Sequence, residues 1–107
     1  MITQSDIQEM ADIIARKFDP ERIVLFGSYA KDEAVDEGSD VDLLVVKNTS
    51  EDLREIAADI MVALWDIPVS KDILVRTQAQ LNEARTLKWS VIDKAVKDGK
   101  VLYEKAS

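Results

Sequence analysis

The sequence predicts a small α/β domain of the α+β kind: one mixed β-sheet with helices packed on one face. Three observations predict it. Four short apolar runs, rich in β-branched residues, lie at 22–26, 41–46, 71–76 and 101–104 and read as strands. Segments of helical periodicity lie before and between them. Only one long helix crosses between strands, which disfavours a doubly wound parallel sheet.

The elements follow in order. Ile7, Met10, Ala11, Ile14 and Phe18 recur at helical spacing over residues 4–18. Thr3 with Asp6 resembles a capping box, and Pro20 ends the helix by disfavouring helical geometry at Asp19. The strand 22–26 is broken by Gly27-Ser28, after which 29–34 reads as a helical turn and 35–39 as a polar loop. The second strand, 41–46, is preceded by Asp40 and interrupted by Asp42. Residues 50–65 form the clearest helix, with Leu53, Ile56, Ala57, Ile60, Met61 and Leu64 on one face and Thr49 or Ser50 as its cap. Pro68 ends the next turn, and 71–76 is the third strand. Thr77 caps a short helix to about residue 84. Ser90 with Asp93 opens another to about residue 97, Gly99 caps its end, and 101–104 is the last strand.

A length of 107 residues fits one domain spanning 1–107. No stretch approaches the roughly 20 apolar residues that cross a bilayer, and the first six residues have no basic region and no apolar signal core. A cytoplasmic protein without membrane attachment is therefore expected. With no cysteine, disulfides and zinc–thiolate sites are excluded. With no histidine, the commonest general base and transition-metal ligand are missing. Chemistry must rest on carboxylates, hydroxyls, lysine, arginine and backbone groups, a donor set suited to Mg²⁺ or Mn²⁺. The net charge of −7, from 14 basic and 21 acidic residues, gives no basic footprint for gripping nucleic acid by this chain alone. A homo-oligomer is compatible with the sequence, which leaves oligomeric state open.

Two segments carry chemistry. Gly27 sits where a strand turns sharply, so its backbone can take unusual dihedrals and approach a phosphate closely. The Ser28 hydroxyl and the following amides can donate to phosphate oxygens, helped by a helix start. Alone, Gly-Ser is better read as an ordinary turn. Asp40 and Asp42, two apart on a strand, share a face about 7 Å apart at the Cα atoms. Like charges side by side are costly without a counter-ion. A solvated strand edge is the plainer reading, but the apolar run of 43–46 continues straight after them. Asp72, opening the third strand, is the candidate third carboxylate. Three carboxylates suit two-metal phosphoryl chemistry, and a carboxylate can take a proton in place of histidine.

The pattern of Gly27-Ser28, eleven residues, then Asp40-x-Asp42 resembles the signature of the polymerase-β-like nucleotidyltransferase superfamily. The string FGSYAKDEAVDEGSDVDLLVV and the ending SVIDKAVKDGKVLYE resemble its minimal nucleotidyltransferase (MNT) branch, and the resemblance covers nearly the whole chain. It implies that fold, with Gly27, Ser28 and Lys31 at the triphosphate and Asp40, Asp42 and Asp72 as metal ligands and catalytic acids. It implies Mg²⁺, or Mn²⁺, as cofactor and ATP as substrate. It also implies an antitoxin role: transfer of AMP to a tyrosine of an all-helical HEPN partner encoded nearby. The alternative is a non-catalytic nucleotide- and partner-binding module that neutralises the HEPN protein by contact. A plain cation-binding domain would leave the Gly-Ser turn unexplained. Lys31-Asp32 stands where members often carry Arg-Gly, and the loop before Asp40 is one residue longer; both bear on turnover and nucleotide preference.

Elsewhere, Trp65 reads as packing or partner-facing and Trp89 as a helix staple, while Tyr29 could line the pocket or cover the core. Arg76, Arg85 and Lys88 read as solvated charge, and Tyr103 reads equally as a modification target or as edge-strand packing.

Overall fold

Thr3 starts the first helix, α1 (Gln4–Phe18), through the expected capping box: its hydroxyl accepts the Asp6 N–H at 3.1 Å, and the Asp6 carboxylate accepts the Thr3 N–H at 3.0 Å. The helix stops at Asp19, which takes a left-handed φ of 46° with its N–H still on the Ala15 carbonyl. That conformation lets Pro20 leave the helix, and the Lys47 ammonium donates to the freed Phe18 carbonyl at 2.6 Å. The computed structural model describes residues 2–31, 40–86 and 91–106. The expectations for 32–39, for Lys88 and Trp89, and for the Ser90 capping box lie outside the described residues.

After α1 come β1 (Arg22–Phe26), a 3₁₀ turn (Ser28–Lys31), β2 (Val41–Val46), α2 (Leu53–Ala63), β3 (Lys71–Arg76), α3 (Gln78–Ala84), α4 (Val91–Asp98) and β4 (Lys100–Glu104). The strands form one sheet in the order β3-β2-β1-β4. β1 runs antiparallel to both neighbours, and β2 and β3 are parallel, with α2 as the crossover that parallel neighbours require. The sheet is therefore mixed, as the sequence predicts.

The helices do not share one face, and this corrects the expectation. Ile23, Leu25, Leu43, Val45 and Val75 pack under α1 and α2 with Ile7, Met10, Ile14, Ile56 and Ile60. Val24, Leu44 and Val46 point the other way and meet Leu81 of α3 and Ile92 and Val96 of α4. The physical reason is legible in residues 43–46: a strand covered on both faces reads as a continuous apolar run, whereas a half-covered one alternates.

Two smaller corrections concern caps. Helix α2 is shorter than expected and starts from Asp52, whose carboxylate accepts the Arg54 N–H at 2.9 Å; Thr49 instead accepts the Glu51 N–H in the turn before it. Gly99 follows α4 as expected but without a left-handed φ, since Gly27 alone among the described glycines has a positive one. Thr77 caps α3 in a full capping box with Gln80. Among the described residues no helix is long and apolar enough to cross a membrane.

Candidate active site

The sheet brings three chain segments to one end: the C-terminus of β1 and the N-termini of β2 and β3. Antiparallel register places Phe26 beside Asp42, and parallel register places Asp72 beside Asp42 on its other side. Neighbouring strands are about 4.8 Å apart, and directly opposite residues point to the same face. The burial pattern fixes that face. Val41, Leu43, Ile73 and Val75 turn into the core under α1 and α2, so Asp42 and Asp72 turn to the opposite face, the one that carries α3 and α4.

Gly27 follows directly after Phe26 with φ 74°, in the left-handed region that favours glycine. A Cβ built there would overlap Oδ2 of Asp42 and lie 3.3 Å from its carboxyl carbon. The turn thus depends on glycine twice, for its backbone and for the close approach of the aspartate. The Gly27 carbonyl accepts the Ala30 N–H at 3.2 Å and opens the 3₁₀ turn carrying Ser28 and Lys31. A turn of four residues has little macrodipole. Anion binding here would rest on individual N–H groups rather than on the helix start expected from sequence.

Asp42 is half-buried. Its carboxyl pKa is raised above the ordinary 3.8, first by burial, then by the charges of Asp72 and Asp40. Lys71 does not relieve this repulsion. It lies on the opposite side of β3 from Asp72, and its ammonium donates to the Ile67 and Val69 carbonyls at 3.1 and 2.7 Å. Asp40 and Asp72 are exposed. The Asp40 carboxylate accepts a hydrogen bond from the Ser70 hydroxyl. Among the described residues, no three acidic or other ligating groups lie close enough to hold one ion as they stand.

The structure therefore brings Gly27, Asp40, Asp42 and Asp72 to one end of the sheet, with Ser28 and Lys31 in the turn beside them. Sequence reasoning missed Ser70. A serine in a turn before a strand is commonplace, and only the parallel register that sets β3 beside β2 brings it against Asp40. Tyr29 packs against the α1/α2 core, and Tyr103 packs against the same core from β4. Trp65 is 83% exposed and forms an apolar shelf with Val62, so it is not core packing. Arg85 is exposed, and the guanidinium of Arg76, half-buried, donates to the Val75 carbonyl at 2.8 Å.

Residues 8–107 match the family described as Polymerase beta, Nucleotidyltransferase. No curated protein matches the sequence. Several solved structures share the fold. A protein from Sulfolobus solfataricus assigned as a nucleotidyltransferase superposes with a TM-score of 0.64 at 19% identity, over 94% of this chain and 79% of that one. The toxin–antitoxin complex MntA–HepT, in a variant with two aspartates separated by one residue changed to glutamate, matches with a TM-score of 0.57 at 21% identity, over 91% and 71%. A complex of tri-AMPylated Shewanella oneidensis HEPN toxin with its MNT antitoxin matches with a TM-score of 0.54 at 19% identity, over 97% and 74%.

Proposed function

Because this chain belongs to the polymerase-beta nucleotidyltransferase family, we propose that it transfers AMP from ATP to a hydroxyl of a partner protein, a HEPN toxin, and so acts as an antitoxin. One observation carries the proposal. Asp42 is pressed against a glycine turn on one side and set beside a second carboxylate on the other, half-buried and with its ionisation penalised. A fold does not keep such a repulsive arrangement for stability, and perturbed carboxylates of this kind mark functional sites. The solved relatives add the partner. One is complexed with an AMPylated HEPN toxin, and another carries changes at two aspartates spaced as Asp40 and Asp42 are.

The residues fit a hard divalent cation. The donors are all oxygen, and the Asp42–Asp72 pair gains from a positive charge between its members. Asp42 and Asp72, with Asp40, would hold Mg²⁺. When bound, the ion neutralises these carboxylates and polarises the phosphate oxygens. Gly27, Ser28 and Lys31 bind the triphosphate, the glycine because it alone leaves room beside Asp42. The partner's hydroxyl oxygen bonds to the α-phosphorus, the α–β phosphoanhydride bond breaks, and pyrophosphate leaves. Asp72, exposed at the start of its strand, takes the hydroxyl proton. With no histidine in the chain, a carboxylate is the available base.

The test uses ATP labelled at the α-phosphate, Mg²⁺ and the protein encoded beside this one. Label should pass to that protein, and Asp40→Asn with Asp42→Asn should abolish the transfer. Labelling that persists in the double variant rules out the carboxylate site. A second reading, neutralisation by contact without turnover, is favoured by the exposed apolar shelf of Trp65 and Val62. It predicts that the double variant still protects cells from the partner.

A further inference from the structure

Helix α2 carries two apolar faces, and the sheet needs only one. Ile56, Ile60 and Leu64 are buried on the inner face, and Leu53 packs against the same core. Ala58, Met61, Val62 and Trp65 form the other face, spaced as positions i, i+3, i+4 and i+7 of one helical ridge. All four are exposed, Val62 by 72%. The ridge runs into the turn after the helix, where the Trp65 N–H donates to the Val62 carbonyl at 3.1 Å. A groove of about 360 Å³ is lined by Met61, Val62 and Trp65 together with Ile67, Pro68 and Val69 of the chain that follows. Contiguous apolar surface in open water marks an interaction site. Trp and Met are also side chains that the cores of interfaces favour.

Two features identify the occupant. The first is place. β2 and β3 are parallel, so α2 brings the chain back to the end of the sheet where both strands start. That end holds Asp42 and Asp72. Lys71 lines the groove, and its neighbour Asp72 turns to the carboxylate site. A protein seated on the ridge thus lies next to the reacting groups, around the start of an edge strand.

The second is charge. Residues 51–66 carry five exposed carboxylates, Glu51, Asp52, Glu55, Asp59 and Asp66, against one cation, Arg54. The ammonium of Lys71 is engaged by the Ile67 and Val69 carbonyls at 3.1 and 2.7 Å. An acidic border attracts a basic surface and repels a second copy of a chain whose net charge is −7. We infer that this ridge and groove are the docking face for the acceptor protein, which covers them with apolar side chains bordered by Lys or Arg. Trp65 is the anchor. This rests on the part of the proposed function that makes the protein encoded alongside the partner.

The experiment is calorimetric titration of the full chain with that protein at low and high salt, with label transfer from ATP followed on the same samples. Trp65→Ala should bind at least about thirtyfold more weakly, the loss typical of a central aromatic anchor. Asp59→Lys with Asp66→Lys should also weaken binding. The parent's affinity should fall as salt rises, and that of the lysine variant should not. Both variants should melt with the parent, since the altered side chains are exposed. Parental affinity in Trp65→Ala overturns the inference, as does a parental affinity indifferent to salt and to the two lysines. So does a parent that fails to bind the neighbouring protein. A dimer of the chain alone that Trp65→Ala disperses in sedimentation overturns it too, because a second copy then covers the ridge. Docking and transfer fail separately. Label transfer by a Trp65→Ala variant that binds as the parent does removes the docking face and leaves the transferase. Binding that depends on Trp65 with no label transferred removes the transferase and leaves the docking face.

Discussion

Gly27 and Asp42 are each costly alone and make sense only as a pair. The left-handed backbone at Gly27 is tolerated because glycine has no Cβ, and the space so left is taken by the Asp42 carboxylate. Gly27→Ala must therefore strain the turn and displace the aspartate together. Urea unfolding should show a loss of about 1–3 kcal/mol, the usual cost of forcing a residue into such a conformation. ATP binding should be lost with it. For Asp42 the sign of the pH effect follows from its raised pKa. Between the unfolded chain's carboxylate pKa and the higher folded one, the folded state holds more protons. The stability that this group contributes is present below that window and lost as pH rises through it. Asp42→Asn removes the penalty, so the variant should melt above the parent at neutral pH, and the gap should close on acidification. A variant that melts below the parent at neutral pH would show that the carboxylate is stabilised by something other than a bound cation.

At the scale of elements, much was legible in the sequence and for identifiable reasons. Helix α1 declared itself because its apolar residues recur at 3.6-residue spacing and its cap is a side-chain pair that works locally. Thr3→Ala should cost about 1 kcal/mol in thermal or urea unfolding and leave nucleotide binding unchanged, since the cap is remote from the carboxylates. The strands β1 and β2 declared themselves as apolar runs. What was misread was their surroundings: Val24, Leu44 and Val46 carry the second core layer, and alternation arguments cannot say which helices will cover it. The start of α2 was misread because Thr49, Ser50 and Asp52 are all able caps, and the choice among them depends on where α2 meets β3 and α1. At the site, Asp40, Asp42 and Gly27 were legible because their spacing is local. Asp72 was a candidate only through its place at a strand start. The Ser70–Asp40 hydrogen bond was invisible, since it exists only once β2 and β3 lie side by side.

At the scale of the molecule, a chain with net charge −7 concentrates carboxylates at one end of its sheet and turns the ammonium of Lys71 away from them. Such a surface repels free ATP unless cations screen it. Nucleotide should thus bind with its divalent cation, and binding should fade when the cation is chelated. If the nucleotide–cation pair is present at about 100 times its Kd, it should add about 2.7 kcal/mol of stability, readable as a rise in melting temperature. The most direct measurement is the anomalous diffraction of Mn²⁺ in crystals grown with a non-hydrolysable ATP analogue. An anomalous peak bounded by the Asp42 and Asp72 carboxylates is expected, with phosphate density against Gly27. Ordered nucleotide elsewhere, with no peak between those two side chains, would contradict it.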